Sequence, residues 1–434
     1  MKKNKLICYV SNSKLVFRDL KTSMVFSKLN DEYNIYWIFE KGFNIKKNFD
    51  SNIKYKQVKI NFLRFHFWSF LFELSNYLYY KDKIGALQAF PLLGMSFLKK
   101  LIIRSIIKLG LIKFFILIFR KIIKITTPDF QNIFKDNDLF ISFSSTKDLI
   151  YDDLIRNTKA LNIKSVKIFV NWDNASSKPF LEKPDFALTW GKQTSELLLK
   201  LHGIKSKEIG SPRFDEYINY KTIDRKKLKK IFKLNVRKHY IIYAGSSFPF
   251  DDIKVLNKLS KHIERKYNSK YRIIYRPHPL SWKRKNSKKN KFFDKVVLSD
   301  NFMSYNDNNL FLKFKELHSL SVALISPYST MALESLVNGN PLMLLALNYN
   351  NNFKFNLNSQ IAPHLEIFKN KNYIHKCTSF DHLDFIFDNL VSSINSKKTY
   401  YSATNLSQKI VFRNNELYKE NLILNLNKIF KKNV

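Results

Sequence analysis

Short apolar runs alternate with amphipathic stretches along most of the chain, which is the pattern of an α/β protein. The N-terminal half has strand-like runs at residues 6–10, 34–39, 138–142, 166–170 and 186–190. Helix-like stretches at residues 148–161 and 191–201 follow two of these runs. Further strand-like runs lie at residues 239–244, 271–275, 321–325 and 341–345. Alternation in both halves predicts two doubly wound, parallel-sheet, Rossmann-like domains that face a cleft.

The same pattern predicts where the domains begin and end. We expect an N-terminal domain over residues 1–218 and a C-terminal domain over residues 236–404. A basic, helix-like stretch at residues 220–238 links them, and residues 405–434 form a C-terminal helix, with its periodic part at 407–432.

Residues 62–125 depart from this alternation. Residues 97–125 contain eight basic side chains and no acidic ones among Ile, Leu and Phe. On a helix, Lys113, Arg120, Lys121 and Lys124 fall within an arc of about 100°, and the remaining surface is almost wholly apolar. The segment therefore predicts either a helix lying on an anionic bilayer or a helix packed on the domain with its basic side chains reaching outward.

The net charge of the 434-residue chain is +40, which favours phosphate-rich partners such as nucleic acid, anionic lipid or a nucleotide-linked substrate. The chain is also rich in Lys, Asn, Ile and Phe, the residues of AT-rich codons, so genomic bias explains part of this charge. Cys8 and Cys377 are the only cysteines, too few for a disulfide framework, which favours a reducing compartment. The first apolar run is too short for a secretory signal, and no run is long enough to span a membrane.

Polar residues follow three strand-like runs of the C-terminal half, where parallel sheets bind ligands. Gly245 and Ser246 follow the first run, and Gly245 permits close approach of the backbone to a phosphate. Arg276 and His278 follow the second, within Arg-Pro-His-Pro, and supply groups that grip phosphate oxygens. A lone loop histidine is usually structural, so a functional interpretation of His278 depends on the other polar residues of the predicted site.

The third run leads into the string SPYSTMALE at residues 326–334. Ser329 and Thr330 lie at a predicted helix N-terminus, where hydroxyls, backbone N–H groups and the macrodipole favour an anion. Glu334 lies one turn further on and is placed to accept hydrogen bonds from ribose hydroxyls. The ordered set predicts a site for a nucleotide phosphate.

Other cofactor sites find no support in the sequence. There is no GxxxxGK[ST] phosphate loop, no GxGxxG after the first strand, and no HExxH or paired CxxC motif. We therefore expect no metal and no cofactor other than a nucleotide-linked co-substrate.

The N-terminal half has one candidate catalytic carboxylate. Asp173 lies in NWDNASSK at residues 171–178, directly after a strand-like run, and a carboxylate there suits a general base on an acceptor hydroxyl. Asp after a strand is as often a turn former or a helix N-cap, so both interpretations stay open.

These motifs resemble a known group of enzymes. RPHP followed by SPYSTMALE is similar to the C-terminal nucleotide-binding half of GT-B glycosyltransferases and polyol-phosphate transferases that build bacterial surface polymers. The group includes CDP-glycerol glycerophosphotransferases, capsule Kdo transferases and bacterial sialyltransferases. NWDNASSK, the string TWGKQTSELLLKLHGI at residues 189–204 and GSPRFD at 210–215 resemble related surface-carbohydrate biosynthesis proteins. The resemblance covers roughly residues 165 to 350.

The resemblance implies a GT-B-like fold and a metal-independent transfer in a cleft between two Rossmann-like domains. It implies that His278, Ser329 and Thr330 contact the donor phosphate and that Glu334 contacts the ribose. It favours a cytidine nucleotide slightly over uridine. The family's acidic base has no clear counterpart here, so Asp173 rests on its position alone.

Our leading hypothesis is a glycosyltransferase that moves a sugar from a CMP-, CDP- or UDP-linked donor to a lipid-linked or polymeric surface polysaccharide, such as a capsule. Its N-terminal domain would bind the acceptor and its C-terminal domain the donor. The segment 62–125 would hold it on the cytoplasmic face of the cell membrane.

The alternatives are a CDP-alditol polyol-phosphate transferase, as in teichoic-acid synthesis, and a sugar-nucleotide epimerase. A non-catalytic, charge-driven binder of anionic membranes or nucleic acid is a further class. No nucleic-acid-binding module is recognisable in the sequence, so we expect no nucleic-acid partner.

Overall fold

The computed structural model describes residues 4–45, 49, 53–80, 97–134, 139–217, 224–245, 251–278, 296–299, 310–347, 363–369 and 371–431. They divide into two compact units. Unit 1 comprises residues 1–212, 362–364 and 411–434, and unit 2 comprises residues 213–361 and 365–410.

Unit 1 is built on a seven-stranded sheet in the order β3-β2-β1-β4-β5-β6-β7. Every strand pair described in this sheet is parallel, and β1 lies between β2 and β4, with Leu6 opposite both Ile35 and Leu139. The strands are β1 (Lys5–Val10), β2 (Asn34–Glu40), β3 (Lys54–Val58), β4 (Leu139–Phe143), β5 (Lys164–Ile168), β6 (Phe186–Thr189) and β7 (Ser206–Glu208).

Helices cover both faces of this sheet, so its central strands are apolar on both sides. Leu6, Cys8 and Val10 of β1 pack into one core, whereas Ile7 and Tyr9 pack into another on the opposite face. The helices of unit 1 are Lys14–Thr22, Val25–Glu32, Phe62–Tyr79, Phe97–Lys108, Ile112–Ile125, Leu149–Ala160, Asn174–Ser177, Lys192–His202 and Tyr418–Lys431.

The end of the chain differs from the prediction of one helix over residues 405–434. Two helices are present, Lys397–Ile410 and Tyr418–Lys431, and they belong to different units. The backbone leaves the helix so that the Phe412 N–H can donate to the Trp190 carbonyl oxygen at 2.6 Å. Asn414 then exchanges side-chain hydrogen bonds with Asn421 at 2.8 and 2.9 Å, which holds the connection outside either helix.

Unit 2 is built on a six-stranded sheet in the order β10-β9-β8-β11-β12-β13, again with all described pairs parallel. Its strands are β8 (His239–Ala244), β9 (Tyr271–Arg276), β10 (Val296–Leu298), β11 (Ser321–Ser326), β12 (Leu342–Leu345) and β13 (Ile374–Cys377). Its helices are Arg225–Ile231, Asp252–Tyr267, Leu310–Leu320, Thr330–Val337, Leu383–Ser392 and Lys397–Ile410, and short 3-10 helices occur at Pro212–Tyr217 and Pro363–Phe368.

The predicted fold class of two doubly wound parallel sheets is confirmed. Four strands were missed, namely β3, β7, β10 and β13. They have three to five residues each and lie at or next to the sheet edges, where little apolar surface is buried and hydrophobic periodicity is weak.

Within the segment 62–125, the described residues 62–80 and 97–125 form a layer of three helices in unit 1, and residues 81–96 lie outside the described part. The inner side of Phe62–Tyr79 is anchored by polar contacts, since Trp68 Nε1 donates to Asp152 Oδ2 at 2.7 Å and Arg64 pairs with Asp153. Gly110 divides the two later helices and has φ +71°, a left-handed conformation that suits glycine. None of the helices in the described residues is both long and apolar enough to cross a membrane.

Candidate donor site and acceptor-side polar cluster

The predicted phosphate-binding residues lie at the point where the strand order of unit 2 reverses. The chain passes from β8 to β9 on one side and later to β11 on the other, so the carboxyl ends of these three neighbouring strands lie side by side. Such switch points form crevices that bind ligands in open α/β sheets. Gly245, Arg276 and Ser326 mark the three ends.

Gly245 brings two of these ends into contact. Its N–H donates to the Arg276 carbonyl oxygen at 2.8 Å. A Cβ at this position would lie 3.0 Å from the His278 nitrogen and 3.3 Å from Pro277 Cα, so any side chain would force the two loops apart. Ser246, the other residue predicted here, lies outside the described residues.

The half-buried Arg276 side chain is held by its neighbours. Its guanidinium carbon lies 4.1 Å from the centre of the Phe314 ring, and the side chain also contacts the Met331 sulfur. Stacking on an aromatic face fixes a guanidinium plane without neutralising its charge. His278 is also half-buried, and burial together with the charge of Arg276 lowers the pKa of His278.

Two serine hydroxyls at the end of β11 have no hydrogen-bond partner among the described residues. Ser326 ends the strand and is fully buried. Ser329 is the N-cap residue of the helix Thr330–Val337, yet its Oγ makes no capping hydrogen bond. Thr330 is the first residue of this helix, at the end where the leading backbone N–H groups have no partner within the helix itself.

Glu334 lies in this helix, about one turn after its N-terminus, and is 6% exposed. Its Oε2 is 3.2 Å from Nε2 of the fully buried His318. Burial raises the pKa of Glu334, but the hydrogen bond with His318 and the charges of Arg276 and Arg213 outweigh it, so the pKa lies below its ordinary value. Ribose binding by Glu334 stays a prediction, and the structure adds a structural partner that sequence reasoning did not identify.

Asp173 lies in unit 1, after β5, as predicted. It precedes the short helix Asn174–Ser177, but only its backbone oxygen accepts hydrogen bonds there, from the N–H groups of Ser176 and Ser177 at 3.1 and 3.0 Å. Its half-buried carboxylate makes no capping hydrogen bond. Asp173 is therefore the N-cap residue of this short helix through its backbone and not through its carboxylate. Its catalytic role stays a prediction.

His364 accompanies Asp173 and was missed in the sequence because it comes 191 positions later in the chain. Its Nδ1 is 2.7 Å from Ser176 Oγ, and its ring packs edge-on against Trp172 with centroids 5.0 Å apart. Burial lowers the pKa of His364, and the charge of Asp173 opposes this shift. A neutral imidazole beside a carboxylate is suited to accept a proton.

A second group that sequence reasoning missed lies at the carboxyl end of β4 and β5. Lys167 is fully buried, and its Nζ donates to Ser144 Oγ at 3.0 Å and lies 3.7 Å from the Tyr151 ring centre. Burial lowers the pKa of Lys167 to about 7. Burial also raises the pKa of Asp148, which accepts from Tyr9, to about 6. A lysine inside an apolar strand carries no sequence signal of its burial, so only the structure identifies this cluster.

No group of three or more His, Cys, Asp or Glu side chains in the described part of the chain is arranged to hold a metal ion. The prediction of a metal-independent site stays a prediction.

No protein-family model matches the sequence, and no curated protein matches it. Solved structures match it over almost its whole length. A Listeria monocytogenes protein described as a UDP-N-acetylglucosamine 2-epimerase is 11% identical with a TM-score of 0.51, covering 100% of this chain and 98% of that chain. An α,α-trehalose 6-phosphate synthase from Burkholderia multivorans is 7% identical with a TM-score of 0.50, covering 99% and 97%. At such low identity the likeness concerns the fold, which is the GT-B type with two Rossmann-like domains.

Proposed function

We propose that this protein is a glycosyltransferase that moves a sugar from a nucleotide-sugar donor to a lipid-linked or polymeric surface polysaccharide. The observation that carries the proposal is the polar end of β11. Two buried hydroxyls, those of Ser326 and Ser329, have no partner among the described residues and lie at a helix N-terminus. Hydroxyls at a helix N-terminus are placed to donate to an anionic oxygen, which supports a polar ligand at this end of the helix.

The surrounding charge supports a phosphate as that ligand. Arg276 is the last residue of β9, and β8 lies between β9 and β11 in the sheet. The Arg276 guanidinium packs against the Phe314 ring. The helix N-terminus and a fixed guanidinium together suit a diphosphate or a phosphate ester. A nucleotide-linked donor supplies that group.

The transfer follows from the chemistry of these groups. In the proposed transfer an acceptor hydroxyl gives up its proton, for which Asp173 is the candidate base in unit 1, as the hydroxyl oxygen bonds to the donor sugar carbon. The bond from that carbon to the phosphate oxygen breaks, and the electron pair leaves with the nucleotide. Arg276, His278, Ser329 and Thr330 stabilise the charge on the departing phosphate, and Glu334 holds the ribose.

The three-helix layer supports an acceptor at a membrane surface. Its helices carry large apolar side chains that are more than half exposed, together with exposed basic side chains such as Arg120, Lys121 and Lys124. This combination is typical of proteins that bind an anionic bilayer. We therefore place the reaction at the cytoplasmic face of the cell membrane, where lipid-linked acceptors are made.

The first test is thermal stability of the purified protein with CMP, CDP, UMP, UDP, GDP or ADP. A nucleotide at 100 times its Kd stabilises the folded state by about 2.7 kcal/mol. We expect one nucleotide class to raise the midpoint of thermal unfolding, and we expect His278→Ala to abolish this rise. Ser329→Ala should weaken affinity by about 10- to 150-fold, since a hydrogen bond to a charged group contributes about 1.5–3 kcal/mol.

Ser335→Ala is the matched control. Ser335 lies in the same helix, and its Oγ is also buried without a partner among the described residues, but it is away from the helix N-terminus. Its loss should leave nucleotide affinity unchanged. A folded protein that responds to none of the nucleotides would overturn the donor site, and turnover of a nucleotide sugar without any acceptor would indicate an epimerase instead.

A further inference from the structure

An apolar cavity of about 490 Å³ lies among the three helices Phe62–Tyr79, Phe97–Lys108 and Ile112–Ile125. Among the described residues of its lining, only His66 and Ser105 are polar. The apolar part of the lining includes Phe67, Phe70, Leu101, Ile106, Phe115 and Phe119.

This cavity is open to the surface and has the volume of a ligand site, since such sites have volumes of about 300–1,000 Å³. Leu101, Ile102 and Leu109 line the cavity and are also largely exposed, so it opens on the protein surface. Because apolar cavities hold water poorly and take apolar ligands, its chemistry selects a hydrocarbon.

The surface around the opening indicates where that hydrocarbon comes from. Side chains more than half exposed on the same helices include Phe62, Leu63, Phe97, Leu98, Phe114 and Leu117. Large apolar side chains exposed together on neighbouring helices are typical of a surface that binds a partner or a membrane.

The charge of the layer identifies the partner. Residues 97–125 contain eight basic and no acidic side chains. Arg104, Lys108, Lys113 and Lys124 are all exposed. A second copy of this chain would bring the same positive charge to the contact and be repelled, whereas anionic headgroups are attracted.

We propose that the cavity binds one acyl chain of an anionic phospholipid, drawn from the bilayer on which the helices lie. The acyl chain fills the space between Phe70, Phe115 and Phe119, and the lipid headgroup contacts the basic side chains. This inference rests on the membrane docking of the proposed function and adds a site for an individual lipid molecule. It does not depend on the nucleotide donor.

The test uses the full-length protein with vesicles of phosphatidylcholine and phosphatidylglycerol, whose phosphatidylglycerol carries a photoreactive diazirine at the acyl-chain end. Labelled residues are identified by mass spectrometry. We expect labelling of Phe70, Phe115 or Phe119, and we expect Ser105→Trp to reduce it at least fivefold because an indole then occupies a lining position.

Leu117→Trp is the matched control, because Leu117 is 67% exposed and lies outside the cavity lining. It should leave the labelling of the three phenylalanines unchanged. Both variants should still sediment with the vesicles and should keep the circular dichroism spectrum of the wild type, which shows that each is folded.

Labelling confined to outer side chains such as Phe114, and equal in both variants, would overturn the proposal and leave only surface contact. A dimer in solution that Ser105→Trp dissociates would overturn it in favour of a second copy. Failure to sediment with vesicles, with the nucleotide response intact, would overturn the lipid site without affecting the donor site.

Discussion

In this protein the chemistry of a side chain depends on its position and burial as well as on its residue type. Ser329 is the N-cap residue of the helix that contains Ser335, and both have buried hydroxyls without a partner among the described residues, yet only Ser329 lies at the helix N-terminus, the end that favours an anion. Lys164 and Lys167 belong to one strand, but Lys164 is exposed and Lys167 is fully buried. Position therefore gives the same residue type different chemistry.

Lys167 makes the stability of unit 1 depend on pH. Its folded-state pKa is about 7, below the ordinary value of 10.5, so between these pH values the unfolded chain binds a proton that the folded protein lacks. Stability must then rise with pH across this window. Asp148, with its pKa raised to about 6, acts oppositely below pH 6, where stability falls as pH rises from the ordinary value of 3.8.

We expect the wild type to gain roughly 2 kcal/mol more than Lys167→Met between pH 7 and pH 9, measured as a larger rise in thermal midpoint. Lys164→Met should keep the wild-type pH dependence because Lys164 is exposed on the same strand. Equal pH dependence in the wild type and Lys167→Met would show that Lys167 stays charged when folded.

Single helices take their roles from the surfaces that they cover. The helix Tyr418–Lys431 is the last in the chain, but Leu422, Leu426 and Phe430 pack into the first core of unit 1 together with Trp37. The Tyr33 hydroxyl donates to Oδ1 of Asn427 in this helix at 2.8 Å. This helix is therefore part of the N-terminal sheet structure and not a separate appendage.

Leu426→Ala should destabilise unit 1 by about 2–5 kcal/mol, since it removes a fully buried side chain and leaves a cavity. Leu424→Ala on the same helix is the control and should cost far less, because Leu424 is 44% exposed. The measurement is thermal unfolding followed by near-ultraviolet circular dichroism. Equal effects of the two substitutions would contradict this packing.

Across the whole molecule, positive charge is abundant but we expect only part of it to act in binding. The net charge of +40 is spread over both units, and a second exposed basic group, Lys226, Lys227 and Lys230, lies in unit 2 without comparable exposed apolar surface. Membrane binding requires both charge and apolar burial, so we assign it to the three-helix layer.

The charge-reversed variant Arg120→Glu/Lys121→Glu/Lys124→Glu should reduce sedimentation with phosphatidylglycerol vesicles at least tenfold at about 0.15 M salt. Lys226→Glu/Lys227→Glu/Lys230→Glu changes the net charge equally and should bind as the wild type does. If both variants lose binding to the same extent, the interaction follows total charge, as a charge-driven binder would.

Much of the fold could be predicted from local pattern. Buried parallel strands are continuous apolar runs, so β1, β4, β8 and β11 are evident from the sequence. Their polar ends are evident too, because residues that follow a strand in the chain also follow it in space. For this reason the sequence alone predicts that Gly245, Arg276, His278, Ser329 and Thr330 belong to one site.

Contacts between segments far apart in the sequence could not be predicted in this way. Nothing local connects His364 to Ser176, His318 to Glu334, or the helix Tyr418–Lys431 to the N-terminal sheet, since each contact joins separate segments. The same holds for burial, which lowers the pKa of Lys167 and forms the apolar cavity of the three-helix layer. Strand positions and strand-end chemistry follow from neighbouring residues, whereas strand order, side-chain partners, pKa values and cavities arise only when remote segments pack together and exclude water.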